Sequence, residues 1–265
     1  MLQRLLITGA AGGLGRVASA RLGGLAERLR LSDIVDVAPS GDHQEFVRCD
    51  LGDKAAVDEL VADCDGIVHL GGVSVEDGFT KILNANIQGV FNLYEAARRH
   101  GVGRILFASS NHVIGLHTQD THLDADAPIR PDSLYGLSKS YGEGMAHLYH
   151  HKHGIETAIV RIGSCFERPR NYRMLATWMS FDDFTALAET VFTVPRLGCP
   201  IIYGVSDNDV CWWDNRKAAY LGWRPKDSSA PFRDEVLAEA GVPDADAADA
   251  VYQGGVFVNE PIRDE

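Results

Sequence analysis

The sequence predicts an α/β fold built on a doubly wound parallel sheet, and three observations lead there. Short apolar runs alternate with stretches of helical periodicity as far as Ile162. A glycine cluster, "TGAAGGLG", follows the first apolar run directly. The length of 265 residues and 45% hydrophobic content suffice for one large core. Strand and helix in strict alternation place helices on both faces of a parallel sheet.

The elements follow in order. Strands are expected at "RLLIT" (Arg4 to Thr8), "RLRLS" (Arg28 to Ser32), "EFVRC" (Glu45 to Cys49), "GIVHL" (Gly66 to Leu70), "RILFAS" (Arg104 to Ser109) and "TAIVRI" (Thr157 to Ile162). Each is a short, nearly continuous apolar run, as a strand covered on both faces requires. "KAAVDELVAD" and "NANIQGVFNLYEAARRH" carry helical periodicity, and the second ends in basic residues and Gly101, a stop signal. After Ile162 the alternation gives way to loops, short helices and one further strand, "CPIIYG". The division expected is a dinucleotide-binding domain over residues 1–160 and a small C-terminal substrate-binding lobe over 161–265. The "DADAADA" run near Asp244 reads as a solvated surface segment.

Gly9, Gly12 and Gly15 sit where the first strand turns into the first helix. Glycines there let backbone N–H groups approach a pyrophosphate at the positive end of the helix, the Rossmann arrangement. Asp33 ends the second strand, near the offset of about 20 residues expected for an acid on an adenine ribose. A carboxylate accepts from the 2′-OH and repels a 2′-phosphate, which favours NAD over NADP. Asp50, in "CDL", follows the third strand and is placed to reach the adenine.

Composition excludes other classes. The 37 acids against 25 bases give a net charge of −12, which argues against nucleic acid or an anionic membrane as partner. The amino-terminal apolar run is too short for a signal peptide, and no later run is long enough for a bilayer. Five cysteines, odd in number and without CxxC spacing, favour free thiols in a reducing, cytoplasmic setting. The "HHKH" cluster (His150 to His153) is read as the cationic end of a helix, so no metal is expected.

Tyr135 and Lys139, in "LYGLSKSYGE", lie one helical turn apart on the same face. With TGxxGxxG, an acid after strand two, "CDL", "HLGG", a serine after strand five and this YxxxK, the sequence resembles the extended short-chain dehydrogenase/reductases. The resemblance runs from the amino terminus to about Cys165, and "LGWRPKD" is similar to the family's usual ending. It implies an NAD site that also includes Gly13, Leu14, Leu51, Leu70, Gly71, Gly72 and Cys165. It implies that Tyr135 is the general base, Lys139 its partner and a ligand of the nicotinamide ribose, and Ser110 a hydrogen-bond donor to the reacting oxygen. Ser109 is then structural. A free phenol, with a pKa of about 10, is a poor base at neutral pH, so positive charge nearby is what the chemistry needs.

"HLGGVSVE", "SSNH", "RIGSC", "NYRM" and "CWWDN" bring the sequence closest to the uronate dehydrogenases. This implies a free uronate, galacturonate or glucuronate, oxidised at its anomeric carbon to an aldarolactone. Residues 161–265 hold eleven bases against seventeen acids, a poor attraction for a nucleoside diphosphate. A small anionic sugar needs one cation and several hydroxyl partners. Spacing leaves Arg168, Arg170 and Arg173 open as that cation, and the resemblance selects Arg173. It proposes Ser74, Ser110, Asn111, His112 and Ser164 for the hydroxyls, although Asn111 and His112 would also serve as loop caps. Cys165 offers a backbone or packing contact rather than a reactive thiol, and Trp212 and Trp213 read as core or interface anchors. Assembly into homo-oligomers is implied by the resemblance. Two other readings remain open at this point: a sugar-nucleotide epimerase or dehydratase that keeps its NAD, and a dinucleotide-sensing regulator without turnover.

Overall fold

The structure, a computed structural model, describes residues 1–265. In chain order it runs β1 (Leu2–Thr8), α1 (Gly13–Arg21), β2 (Ala26–Asp33), β3 (Gln44–Arg48), α2 (Lys54–Val61) and β4 (Gly66–His69). Next come α3 (Phe79–Ile82), α4 (Gly89–His100), β5 (Arg104–Ser110), α5 (Leu134–His153) and β6 (Glu156–Ile162). The remainder is β7 (Ser164–Cys165), α6 (Met174–Thr177), β8 (Trp178–Met179), α7 (Phe181–Thr193), β9 (Ile201–Gly204), α8 (Arg233–Ala240) and α9 (Ala248–Val251). All seven expected strands form, each within two residues of the sequence reading at either end. The pair β7 and β8, two residues each, was not foreseen and makes a second, parallel two-stranded sheet.

The main sheet has seven parallel strands in the order β3-β2-β1-β4-β5-β6-β9. Its order reverses between β1 and β4, which opens a crevice at the carboxyl ends of those strands. One face packs against Ala18 of α1 and Phe184, Leu187, Ala188 and Val191 of α7. The other packs against Val57 and Leu60 of α2, Leu93 and Tyr94 of α4, and Met145 and Ala146 of α5. Because α7 and β9 come after residue 160, the later part of the chain completes the sheet as well as covering its carboxyl edge.

Local sequence explains the ends of these elements. Asp53 caps α2 by accepting from the amides of Ala55 and Ala56, and Ser133 caps α5 by accepting from Gly136. Gly101 and Gly154 stop α4 and α5 in the left-handed conformation. The stretch before α4 departs from a simple helix: Leu83–Gln88 is a π-helical turn between α3 and α4. There Asn86 bonds to the backbone of Val73 and to Ser138 of α5, tying three segments together. "HHKH" forms the last turn of α5, with His150 Nδ1 at 3.2 Å from the Ile155 carbonyl. Trp212 and Trp213 are buried with Val113, Ile114 and Tyr203 in a satellite core above the sheet. The "DADAADA" run corrects the surface reading in part: Asp244 and Asp246 are exposed, but Asp249 reaches the central cavity on α9.

A buried ion pair links the layers. Glu143 of α5 takes both Arg161 Nε (2.9 Å) and Nη2 (2.8 Å) from β6, and also accepts from Ser109 Oγ of β5 at 2.6 Å. Removing one member of such a pair strands the other charge without water. Arg161→Met should therefore lower the free energy of urea unfolding by about 3–5 kcal/mol. Combining it with Glu143→Leu should return much of that loss, since no buried charge is left. A loss under about 1 kcal/mol for the single variant would show that the pair does not hold the layers together.

Candidate active site

A cavity of about 1030 Å³ occupies the crevice where the sheet order reverses. All the site residues read from the sequence border it: Gly9, Gly12, Gly13, Leu14, Gly15, Asp33, Asp50 and Leu51, which follow β1, β2 and β3, and Leu70, Gly71, Gly72, Ser74, Ser110, Asn111, His112, Tyr135, Lys139, Ser164, Cys165 and Arg173, which come from β4 onward. Sheet register explains the convergence: β1, β2 and β4 end within a residue of one another, and β5 and β6 run three residues further at the same edge, which carries Ser110 over it.

The glycine turn suits a pyrophosphate. Gly9 has φ +73°, and a Cβ there would lie 2.7 Å from the Gly71 amide nitrogen. A Cβ on Gly13 would meet nothing within 4 Å, so the cavity reaches the backbone at the start of α1. No side chain caps α1, which leaves its leading N–H groups for a ligand. Asp33 is held in place by the amides of Ala11 (2.9 Å) and Val35 (3.1 Å) and keeps lone pairs for hydroxyl donors. Asp50 accepts from the Gly52 amide at 2.9 Å. The residues present fit an adenine dinucleotide.

Tyr135 and Lys139 share the inner face of α5. The Tyr135 side chain is buried, and burial pushes its phenol up to about 12, while a hydrogen bond with Ser110 acts in the opposite direction. Lys139 donates from Nζ to the Ala108 carbonyl at 2.8 Å and lies 5.7 Å from the centre of the Tyr135 ring. Burial lowers its ammonium to about 8. The protein's own charges therefore do not make Tyr135 a phenolate, and a positive ring in the cavity is the further charge that would favour one. Ser109 is committed to Glu143, in keeping with a structural role.

Of the three candidate arginines, Arg168 is taken by Glu235 and Glu239 at the surface. Arg170 borders the cavity with its guanidinium stacked 4.2 Å from the Phe166 ring centre. Arg173 borders it without a carboxylate in ion-pair range. Its Nε donates to the Gln253 carbonyl at 2.6 Å, and burial lowers it to about 10. The Asn111 amide is oriented by its neighbours: its nitrogen donates to the Ile162 carbonyl (3.1 Å) and its oxygen accepts from Arg173 Nη2 (2.5 Å). Asn111 thus acts as a support for Arg173. Ser164 Oγ pairs with Thr177 Oγ1 at 2.9 Å, and burial raises the Cys165 thiol to about 12, which leaves it unreactive.

Sequence reasoning missed the carboxyl-terminal wall. Gly254, Val256 and Phe257 line the cavity, and Gln253, fully buried, ties them down through Trp213, Thr118 and Thr121. The segment carries no chemistry-bearing motif, and only its fold-back brings it to the site. Glu76 was missed for a related reason: its Oε2 accepts from the Tyr135 amide at 2.9 Å, across 59 residues of chain.

Known proteins resemble this chain over nearly its whole length. Residues 5–178 match the NAD dependent epimerase/dehydratase family. A uronate dehydrogenase of Pseudomonas putida is 58% identical over 96% of this chain and 95% of its own. A glucuronic acid dehydrogenase structure from Chromohalobacter salexigens superposes with TM-score 0.98 at 55% identity, covering all of both chains. A mutant uronate dehydrogenase of Agrobacterium tumefaciens complexed with NAD superposes with TM-score 0.97 at 54% identity, over 99% of each chain.

The buried ammonium of Lys139 has a measurable cost. Its lowering from 10.5 to about 8 means that the unfolded chain holds more protons between those values, so stability rises with pH across that window. Below about 8 the full penalty, up to roughly 3 kcal/mol, applies. Lys139→Met should accordingly be more stable than the parent in urea at neutral pH while losing most turnover, and the gap should narrow as pH passes 8 toward 10. A variant that is less stable at neutral pH would contradict this.

Proposed function

The chain belongs to the NAD dependent epimerase/dehydratase family, and we propose that it oxidises the anomeric carbon of a free uronate, D-galacturonate or D-glucuronate, to the aldarolactone. Arg173 carries the reading: a partly buried guanidinium with no carboxylate partner borders the same cavity as Tyr135, Lys139 and Ser110. The kinship with uronate dehydrogenases over nearly the whole chain supports it.

Bound NAD supplies the acceptor for the hydride that leaves C1. Gly9, Gly12, Gly13, Leu14 and Gly15 would hold its pyrophosphate, Asp33 its adenine ribose, and Asp50 and Leu51 its adenine side. Leu70, Gly71, Gly72 and Cys165 would line the rest, with Lys139 on the nicotinamide ribose. Tyr135 takes the proton of the C1 hydroxyl, and Ser110 hydrogen-bonds the reacting oxygen. A guanidinium meets a carboxylate through two parallel hydrogen bonds, so Arg173 would both bind the sugar and aim C1. Ser74, Asn111, His112 and Ser164 complete the substrate side, with Asn111 acting through Arg173. On this reading residues 1–160 form the cofactor-binding domain, which also brings Ser74, Ser110, Asn111, His112 and Tyr135 to the sugar, and 161–265 form the small lobe that adds Ser164 and Arg173. Five cysteines without a disulfide support a cytoplasmic setting. Exposed Phe91 on α4 and Leu137 and Leu148 on α5 support assembly with further copies.

The test is kinetic. NADH absorbance should rise with free uronates, not with neutral hexoses or sugar nucleotides. Arg173→Ala should lower kcat/KM for uronates by one to two orders of magnitude, as loss of a charge-assisted contact of about 1.5–3 kcal/mol implies. NAD affinity should stay near the parent's, and Arg168→Ala should behave like the parent. Unchanged uronate kinetics in Arg173→Ala would overturn the assignment of the carboxylate.

A further inference from the structure

Asp132, which no motif marks, is bonded to one of the proposed sugar ligands. Its Oδ2 lies 2.7 Å from His112 Nδ1, and its side chain is fully buried. Its Oδ1 accepts from the Ser133 hydroxyl at 2.8 Å, and Ser133 Oγ in turn accepts from Gly136 at the start of α5. Space for this carboxylate exists because two neighbours lack side chains. A Cβ on Gly115 would fall 1.8 Å from Oδ2, and one on Gly254 would fall 1.9 Å from it. Those glycines belong to segments that are themselves joined, Gly254 donating to the Gly115 carbonyl at 2.9 Å.

The imidazole it holds is fixed in plane. One face stacks on Phe257, with centres 3.9 Å apart, and an edge meets Tyr135 at 5.7 Å. His112 borders the cavity, and Nε2 is the ring atom left without a protein partner. An ionised carboxylate accepts and does not donate, so Nδ1 must carry the proton of a neutral ring. Nε2 is then a bare lone pair in the wall of a cavity that also presents the donors Arg173 and Ser110.

Resting on the uronate reading above, we infer that Asp132 is a positioning residue: it fixes the His112 tautomer so that Nε2 accepts a hydrogen bond from one hydroxyl of the sugar ring. Arg173 would then recognise the substrate's charge, and the Asp132–His112 pair would recognise one hydroxyl. A site built to pair with a hydroxyl discriminates strongly against an analogue without it, because its own polar atom is left unsatisfied.

Two readouts test this, and one needs no substrate. Long-range ¹H–¹⁵N spectra of histidine-labelled protein report which ring nitrogen bears the proton, and His112→Gln identifies the signal by its loss. The parent should show His112 protonated on Nδ1 and bare at Nε2, and Asp132→Ala should shift the proton to Nε2. Asp132→Asn, whose amide oxygen can still accept from Nδ1, should restore the parent tautomer. In kinetics, Asp132→Ala should raise KM for the uronate by about ten- to a hundredfold, with a smaller effect on kcat and none on NAD binding, and Asp132→Asn should recover part of it. Among ring-deoxy uronates, one should bind the parent poorly yet bind Asp132→Ala no worse than the full uronate does. A parent His112 protonated on Nε2 overturns the inference, and so does a tautomer switch without a change in KM. If Asp132→Ala does not fold, the parent tautomer and the deoxy series on the parent and Asp132→Asn decide. Failure of the uronate reading shows separately, as absence of turnover with any uronate while the tautomer result stands.

Discussion

The geometry of the site depends on one buried ion pair, Glu143 with Arg161. Glu143 lies one helical turn beyond Lys139 and two beyond Tyr135, so the pair fixes the depth and rotation of α5 against the sheet. The same carboxylate holds Ser109, which sets the end of β5 and with it Ser110. Close packing reinforces the constraint, because a Cβ on Gly142 would lie 2.2 Å from the Phe107 ring. A pair of this kind contributes little net stability compared with apolar residues of similar size. Its contribution here is register: phenol, ammonium and serine hydroxyl are brought together by contacts made behind them.

The electrostatic character of the site opposes that of the molecule. A chain of net charge −12 places the buried Lys139 and the partly buried Arg173, neither ion-paired, in one cavity. Burial lowers the pKa of each, which is the cost of holding positive charge away from water. Asp132 and Asp249 offset part of that cost at Arg173 without meeting it in an ion pair. The cavity is thereby suited to an anion of small size, and charge repulsion elsewhere on the surface does not reach far through salt.

Much of this was legible in the sequence, and the reasons differ by region. Strands and the glycine turn could be read because a parallel sheet demands continuous apolar runs, and the crevice always lies at their carboxyl ends. Gly9, Asp33, Ser110, Tyr135 and Lys139 follow from position on those elements. The three arginines could not be ranked, since what separates them is a surface pairing of Arg168 with α8 and the hold of the distant Gln253 carbonyl on Arg173. Gln253, Phe257 and Glu76 left no local signal, as each acts through contacts across 59 or more residues of chain. Asp132 escaped for another reason: it lies in the loop before α5, 20 residues from its partner His112, and periodicity carries no information there.

On the proposed function, a hydride leaves the anomeric carbon of a uronate for NAD at this site. The most direct test is the fate of a label at that carbon. D-galacturonate or D-glucuronate carrying deuterium at C1 should be turned over with NAD to give reduced cofactor deuterated at nicotinamide C4, read by NMR, in step with lactone formation. The same sugars deuterated at C5 should give unlabelled NADH. Retention of the C1 deuterium in the sugar product, with NAD recovered oxidised, would contradict the claim.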